Sequence, residues 1–488
     1  MNRFIIYFLV LLITSCTQTV DIRPNILWIV ADDLGADLGC YGEDAVYTPN
    51  LDKLATQGIR YENFFTVTAV CSPSRSSLIT GMYPTSIDCH QHRTRYKKPL
   101  PDGVMPITHY FRNAGYFTFN GDFRDTEKPG KQDYNFIAEN IYDGTDWTQR
   151  KEEQPFFGQI QIFYPHRPFI RDPSHPVDTA KLTIPPYYPD HPITRIDWAL
   201  YLEFIQLLDI EVGKILERLE IEGLAGNTIV FFFGDQGRPH VRAKQFLYDG
   251  GINTPFIMRW PDGKNAGKVE MKLVSNIDVS VTSLILAGIK VPDHIQGMSF
   301  LESGEEEREY IISMRDRRDE TVDRIRTVRN KDFKYIRNFY PERPYTQFNA
   351  YKKYRYPVLT LLEELKANND LTIAQQPFME SSRPAEELYD LKNDPWELNN
   401  LATNIDYQRI LTEMRTQLDE WLIQADKGIY PEDQAEIDFA DSLMKNSYGV
   451  WMENIGLGGN VSDEEILTYW ENILTPTIPG MRNDRIQP

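Results

Sequence analysis

Three largely apolar runs along the chain each end in a cluster of polar residues. They occupy residues 25–31, 156–163 and 227–233, and runs of this length are typical of strands buried on both faces of a parallel sheet. Between the second and third runs, apolar residues recur at helical spacing, at Leu200, Phe204, Leu207, Leu208, Ile215 and Leu219. Strands that alternate with helices predict a layered α/β domain, and ligand sites in such sheets lie where the strands end.

The second half of the chain has a different pattern. Residues 325–328 and 333–336 flank a short turn-forming stretch, which predicts a β-hairpin. Apolar positions from Tyr407 to Trp421 follow helical spacing and predict an amphipathic helix. We therefore expect a large α/β domain at residues 16–300, a smaller C-terminal α+β domain at 301–430, and an acidic, irregular tail at 431–488.

The N-terminus has the features of a processing segment. Arg3 supplies a positive charge, and residues 4–13 form an apolar run too short to span a bilayer. The next residues, Ile13-Thr14-Ser15-Cys16, resemble the lipobox of a bacterial lipoprotein. This predicts a lipoprotein signal peptide at residues 1–15 and a lipid on Cys16 that anchors the exported protein to a membrane, in the periplasm or at the cell surface. The alternative is an ordinary cleaved signal, which also predicts export.

The charge and the cysteine content exclude some classes of binding partner and of fold. With 71 acidic and 52 basic residues, the net charge is −19, so general nucleic-acid binding is not expected. A local positive stretch at residues 90–98 is either a solvated loop or a substrate-binding rim. The chain has four cysteines, too few for a disulfide framework, and the sequence leaves open whether Cys40 and Cys89 pair.

The stretch Cys71-Ser72-Pro73-Ser74-Arg75 carries the most specific chemistry. Pro73 suits the first turn of a helix, and Gly81 suits its end. Cys71 would then face the unpaired N–H groups at the positive end of that helix, where an oxyanion is stabilised. Arg75 lies one turn further on and can bind a sulfate or phosphate group through two N–H groups. A lone cysteine is more often a small buried apolar residue, but the five-residue string favours a functional site.

This string resembles the Cys-x-Pro-Ser-Arg signature of the type I sulfatases. The resemblance implies an alkaline-phosphatase-like α/β/α sandwich with a smaller C-terminal α+β domain. It also implies that Cys71 is oxidised to formylglycine (3-oxoalanine) by a formylglycine-generating or anaerobic sulfatase-maturing enzyme. One oxygen of the hydrated aldehyde would attack sulfur, and the other would later expel sulfate as the aldehyde re-forms.

Two of the predicted strands end in oxygen donors. Asp32 and Asp33 follow the first strand, and Asp235 and Gln236 follow the third, a set that suits a hard cation such as Ca²⁺ or Mg²⁺. Taken alone, Asp32 could instead be a helix cap and Asp235 a turn former. The resemblance implies that all four residues and modified Cys71 share a Ca²⁺, with Mg²⁺ less favoured. Gln236 stands where the family more often has Asn or His.

The resemblance also assigns residues that surround the sulfate. Lys131, in Gly130-Lys131-Gln132-Asp133, is similar to the sulfate-binding lysine of a Gly-Lys-x-His motif, although Asp133 replaces the histidine. A competing alignment uses Gly121-Asp122-Phe123-Arg124, but Asp122 cannot bind an anion. His166 and Lys244 resemble the family's histidine and second basic residue. These residues and Arg75 would supply donors to the transferring SO₃ group.

Within the family, the chain is most similar to the heparan N-sulfatase branch. The shared features include His90-Gln91, Pro165-His166-Arg167 and residues 387–390. The implied function is hydrolysis of sulfate esters or N-sulfates in a sulfated glycan, heparan-type or algal such as ulvan, with His90, His92 and Arg93 as sugar or uronate contacts. The alternatives are a phosphoesterase or phosphonate hydrolase of the same superfold, and a glycan-binding lipoprotein in which Cys71 stays unmodified.

Overall fold

The structure is a computed structural model that describes residues 23–301, 307–426, 432–458 and 461–474. The predicted signal peptide and Cys16 lie outside these residues. The strands are β1 (Asn25–Ala31), β2 (Ile59–Phe65), β3 (Phe117–Asp122), β4 (Asp125–Pro129), β5 (Phe156–Ile162), β6 (Thr228–Gly234), β7 (Phe256–Arg259), β8 (Lys268–Ser275), β9 (Ile311–Arg315), β10 (Ile325–Arg329), β11 (Phe333–Asn338) and β12 (Glu386–Asp390). The helices are α1 (Pro49–Gln57), α2 (Cys71–Thr80), α3 (Ile107–Asn113), α4 (Pro192–Ile221), α5 (Asp249–Ile252), α6 (Asn276–Leu286), α7 (Ala350–Arg355), α8 (Pro357–Ala367), α9 (Gln376–Met379), α10 (Gln408–Ala425), α11 (Gln434–Asn454) and α12 (Asp463–Leu474).

The three apolar runs form the centre of an eight-stranded sheet. Its strand order is β4-β3-β5-β1-β6-β7-β2-β8. Strand β1 lies between β5 and β6 and is parallel to both, as their sequence pattern predicts. Because parallel strands end at the same edge of a sheet, the polar residues that follow β1, β5 and β6 come together there.

Helices cover both faces of this sheet. Alternate residues of β1 belong to two separate cores: Leu27 and Ile29 face the core that includes α1 and α4, whereas Ile26 and Trp28 face the core that includes α2, α3 and α6. All four side chains are fully buried. This confirms the predicted α/β/α sandwich and explains why the strands are apolar on both faces.

A smaller domain follows the large sheet. Strands β9 to β12 form an antiparallel sheet in the order β12-β11-β10-β9, and β10 and β11 are the predicted hairpin. Helix α10 packs on this sheet through Leu411, Met414 and Leu418, three positions of the predicted amphipathic stripe. The α+β character of this domain is therefore confirmed.

The segment predicted to be an irregular tail contains two helices. Helices α11 and α12 pack against α7 and α8, and α12 also contacts α4. The acidic composition masks a helical pattern in which Met452 of α11 and Ile466 and Ile473 of α12 are buried. The prediction of irregular structure is wrong over these two helices, since tertiary burial outweighs their polar composition.

Two further features concern membrane-spanning helices and the pairing of cysteines. Within the described ranges, none of the helices has the length and apolar content needed to cross a bilayer. Cys40 and Cys89 are both free thiols, which answers the question that the sequence left open.

Candidate active site

Helix α2 places Cys71 at the edge of the sheet where the polar residues meet. The helix begins at Cys71, directly after the extended residue Val70, and ends where Gly81 adopts a left-handed conformation with φ 67°. A Cβ at Gly81 would lie 2.7 Å from Ile295, so both backbone conformation and space favour glycine. The Cys71 side chain is buried at the positive end of the helix.

Asp32 and Asp33 converge with Cys71. Their carboxylate oxygens and the Cys71 Sγ all lie within 4.8 Å of one another. Asp235 reaches the same place because Ala31 of β1 pairs with Gly234 of β6, and its Oδ1 accepts a hydrogen bond of 3.0 Å from the Asp33 N–H. Three carboxylates from two neighbouring strand ends thus lie at the start of α2.

Asp32, Asp33 and Asp235 form an acidic cluster, and its donors fit a hard divalent cation. Gln236 donates through Nε2 to Asp33 Oδ1 and to Cys71 Sγ, the second contact at 3.3 Å. Its Oε1 is buried and has no hydrogen-bond partner among the described residues. A buried amide oxygen without a partner is unfavourable, and amide and carboxylate oxygens are the ligands that Ca²⁺ and Mg²⁺ prefer. Asp32, Asp33, Asp235 and Gln236 would hold the ion.

The four basic residues predicted to bind sulfate surround the acidic cluster. The contacts are Lys244 Nζ to Asp33 Oδ2 at 2.6 Å, Lys131 Nζ to Asp32 Oδ2 at 2.6 Å, Arg75 Nε to Asp235 Oδ2 at 2.8 Å, and His166 Nε2 to Asp33 Oδ2 at 3.7 Å. The structure therefore brings together all nine residues that the sequence assigned to the metal and the sulfate.

Burial and charge set the protonation of these groups. Burial alone would raise the pKa of Asp32, but the positive charges of Lys131, His166 and Arg75 outweigh it and hold that pKa well below its ordinary value. Burial, followed by the Asp32 carboxylate, raises the pKa of Asp235 to about 7. Burial and the nearby Lys244 lower the pKa of His166 to about 4.

Asp133, which stands where the resemblance leads one to expect a histidine, pairs with Arg93. Its two oxygens accept hydrogen bonds of 3.0 and 2.9 Å from Arg93. Burial alone would raise the pKa of Asp133, but the hydrogen bonds and charge of Arg93 and the charge of Lys131 hold it below its ordinary value. Asp133 is therefore an ionised carboxylate that orients Arg93.

The positive stretch near residue 90 lies mostly inside the protein. The rings of His90 and His92 are buried, and His92 Nδ1 lies 3.0 Å from Asp319 Oδ1. Burial, followed by the nearby Arg318, lowers the pKa of His92 to about 3. Of the three residues predicted to contact a sugar, Arg93 alone has an exposed side chain, at 55%.

Two contributions to the site were missed from the sequence. Gln161 of β5 accepts a 2.6 Å hydrogen bond from Arg75 Nη1. The sequence did contain a signal for Gln161, because it is a polar residue inside an apolar run that is predicted to be buried on both faces. The second contribution is the segment around Arg318, which comes from the smaller domain and has no local signature.

Lys131 and Arg124 provide a direct test of the two alignments. Arg124 pairs with Asp122, and its side chain is 57% exposed, whereas Lys131 contacts the acidic cluster. We expect Lys131→Ala to lower kcat/KM for sulfate release by roughly 10²- to 10³-fold, since a donor to the transferring group is lost. Arg124→Ala, the matched control, should change it by less than about threefold. Steady-state kinetics of both variants will decide, and the opposite ranking would favour the competing alignment.

Comparison with known families decides what kind of site this is. Residues 24–289, more than half of the chain, match the family described as Sulfatase. The chain belongs to the sulfatase family. Residues 239–369 also match the family described as N-sulphoglucosamine sulphohydrolase, C-terminal. Sulfatases generally use formylglycine and a divalent metal, and this chain has a buried group of Asp32, Asp33 and Cys71 whose donor atoms could hold a metal ion.

Alignments with individual sulfatases extend over most of the chain. An ulvan-active sulfatase of Formosa agariphila is 36% identical over 455 residues, which cover 82% of this chain and 75% of that protein. The human N-sulphoglucosamine sulphohydrolase is 27% identical and covers 82% of this chain and 90% of its own length. The solved structure of a 2-O GAG sulfatase superposes with a TM-score of 0.60 at 20% identity, covering 83% of this chain and 92% of that one. The alkaline-phosphatase-like fold expected from the sequence is confirmed.

Proposed function

We propose that this sulfatase removes sulfate from an acidic sulfated polysaccharide, with formylglycine derived from Cys71 as the nucleophile and Ca²⁺ in the acidic cluster. The observation that carries the proposal is the convergence of Cys71 with three buried carboxylates, an unpaired amide oxygen and four basic side chains. A relative named as ulvan-active, at 36% identity, supports a glycan rather than a small sulfate ester.

The basic side chains would bind and orient the sulfate. Lys131 and Lys244 are held by Asp32 and Asp33 on two sides of the site, so their positions are fixed before substrate arrives. Arg75 is fixed by Asp235. Fixed donors stabilise charge that develops on the sulfate oxygens without a cost of reorganisation. A divalent cation held by Asp32, Asp33, Asp235 and Gln236 would supply further positive charge near the sulfate.

His166 is placed to move a proton. Its Nδ1 lies 2.6 Å from the Arg167 carbonyl oxygen, so Nδ1 carries the hydrogen and Nε2 faces the acidic cluster. Because its pKa is lowered to about 4, the ring is neutral and Nε2 presents a lone pair. His166 can therefore accept at Nε2 the proton that the attacking group releases, and then pass it to the leaving oxygen or nitrogen as its bond to sulfur breaks. Formylglycine supplies a hydrated aldehyde, one oxygen of which accepts the sulfuryl group while the other expels sulfate. The net reaction consumes one water and releases sulfate and the free hydroxyl or amine.

A panel of sulfated glycans tests the proposed function. Purified enzyme, coexpressed with a maturation enzyme, is incubated with ulvan oligosaccharides, heparan sulfate and chondroitin sulfate, and released sulfate is measured. We expect release from ulvan oligosaccharides; release from the N-sulfated positions of heparan sulfate would identify a sulfamidase instead. A phosphate monoester serves as the control, because phosphate release without sulfate release would favour the phosphoesterase alternative. Binding of glycans with no sulfate release would favour the non-catalytic alternative.

Removal of the cation tests the acidic cluster. Treatment with a strong chelator is expected to lower sulfate release by about 100-fold or more, because the carboxylates lose the ion that offsets charge on the sulfate. Added Ca²⁺ should restore activity better than Mg²⁺, since the site offers several protein oxygens and Mg²⁺ is the ion that more often keeps its waters. An enzyme whose rate is indifferent to the chelator would contradict the assignment of Asp32, Asp33, Asp235 and Gln236.

A further inference from the structure

A loop of the smaller domain lies close to the active site. It follows β9, and within it Arg318 and Thr321 exchange backbone hydrogen bonds of 3.0 and 2.9 Å. The loop is also joined to the large domain. The Arg317 N–H donates to Gln91 Oε1 at 2.8 Å, and the His92 N–H donates to the Arg317 carbonyl at 3.0 Å. Arg318 is therefore held on a rigid support that spans both domains.

The guanidinium of Arg318 is buried but has few partners. The residue is 4% exposed, and neither Nε nor Nη1 has a hydrogen-bond partner in the part of the chain that the structure describes. Its nearest charge is Asp319, whose Oδ2 lies 3.5 Å from Nη2, a longer separation than that of a good hydrogen bond. Asp319 also interacts with His92. A buried guanidinium with unpaired N–H groups is costly, so this side chain calls for an additional acceptor.

Arg318 lies next to the residues that would bind the sulfate. Its Cζ lies 5.5 Å from the centre of the Tyr351 ring, and Lys244 Nζ lies 5.8 Å from the same ring. The ring of His166 is 6.0 Å from that of Tyr351. Arg318, Lys244 and His166 thus all lie within about 6 Å of one ring, so a group bound by Arg318 would lie close to the sulfate.

The other cations of the site are already engaged. Arg75, Lys131 and Lys244 each pair with a carboxylate of the acidic cluster, and Arg93 binds both oxygens of Asp133. Arg318 differs from them because two of its guanidinium nitrogens lack a hydrogen-bond partner among the described residues, while hydrogen bonds to the large domain hold its loop in place. A second negative group on the substrate would find its unsatisfied donors here.

We propose that Arg318 binds a second anionic group of the substrate, a carboxylate or a further sulfate on the sulfated oligosaccharide. The proposal rests on the proposed function and assigns a specificity-determining role to the smaller domain. A charge-assisted hydrogen bond from a desolvated arginine is among the stronger polar contacts in proteins. Loss of the guanidinium should therefore weaken binding of an acidic oligosaccharide by roughly 10- to 100-fold.

The experiment measures binding without turnover. In a Cys71→Ala background, the dissociation constant of a disulfated, uronate-containing oligosaccharide is compared between Arg318 and Arg318→Gln by calorimetry. Two further ligands are used: the same oligosaccharide with its carboxyl group reduced, and a monosulfated form. Arg415→Gln, which removes an arginine that pairs with Glu386 elsewhere on the smaller domain, is the matched control. Arg318→Lys retains the charge and serves if the glutamine variant does not fold.

The ligands separate the outcomes. We expect the Arg318→Gln change to weaken binding of the full ligand by 10- to 100-fold. One of the altered ligands should bind equally well to the Arg318→Gln variant and to its parent. The group missing from that ligand is the one that Arg318 binds. Equal weakening of all three ligands would show a structural role and overturn the proposal, as would no weakening at all. The proposed function fails separately, if the unmutated enzyme releases no sulfate from the ligand that its Cys71→Ala variant binds.

Discussion

Replacing Cys71 by alanine is expected to lower sulfate release by at least about 10⁴-fold, because removal of a covalent nucleophile leaves only binding and charge stabilisation. The fold should persist, since the change removes only the polar end of one small buried side chain and should shift the melting temperature by no more than about 4 °C. Turnover with sulfated oligosaccharide and a thermal melt of the same sample measure both effects.

Cys89 offers a matched control for this change. It is another buried free thiol, and its Sγ contacts the Ile87 and Asn135 carbonyl oxygens instead of the acidic cluster. Cys89→Ala should keep nearly full activity. Mass spectrometry of the peptide that contains residue 71 should show an aldehyde in place of the thiol in active enzyme. Full activity in Cys71→Ala, or a thiol at residue 71 in active enzyme, would refute the proposed nucleophile.

Replacing Arg75 by alanine is expected to damage both activity and stability. Arg75 is 3% exposed and donates to Asp235 Oδ2 at 2.8 Å and to Gln161 Oε1 at 2.6 Å. Without it, Asp235 is a buried carboxylate that has lost its partner, which costs about 3–5 kcal/mol of folding free energy. The lost donor to the sulfate should lower kcat/KM by roughly 10³-fold. Chemical denaturation and steady-state kinetics measure the two effects.

Arg75→Lys separates the two roles. A lysine keeps the charge beside Asp235 but lacks the planar group that also reaches Gln161. We expect it to recover more of the stability than of the activity. An Arg75→Ala variant as stable as the parent would show that the Asp235 pair contributes little to folding, and one with normal kinetics would remove Arg75 from the site. Stability should be measured without added Ca²⁺, because a bound cation would itself offset the charge of Asp235 and mask the loss of its partner.

The centre of the site could be predicted because each part has a local signal. The apolar runs that form β1 and β6 place Asp32 and Asp235 at strand ends, and parallel strands end at the same edge. The signature that begins at Cys71 marks the start of α2. Lys131 has a weaker signal, and the structure supports the chosen alignment by placing its Nζ 2.6 Å from Asp32.

Other parts of the molecule depend on contacts that no local pattern encodes. Tyr351 and Arg318 reach the site only because the smaller domain packs against the large one, so their neighbours are distant in sequence. Helices α11 and α12 appear in an acidic stretch because α7 and α8 offer them an apolar surface. The buried positions of His90 and His92 follow from packing as well, and a charge count along the chain could not distinguish them from a solvated loop.

The origin of the active site in two domains has an evolutionary consequence. The residues assigned to the metal and the sulfate belong to the large domain, whereas Arg318 and Tyr351 come from a separate stretch of the chain. With Arg318 as the proposed contact to a second anionic group, mutations in that stretch would change which substrates bind without altering the residues that hold the metal and the sulfate. Substrate range would then evolve separately from the chemistry of sulfate removal.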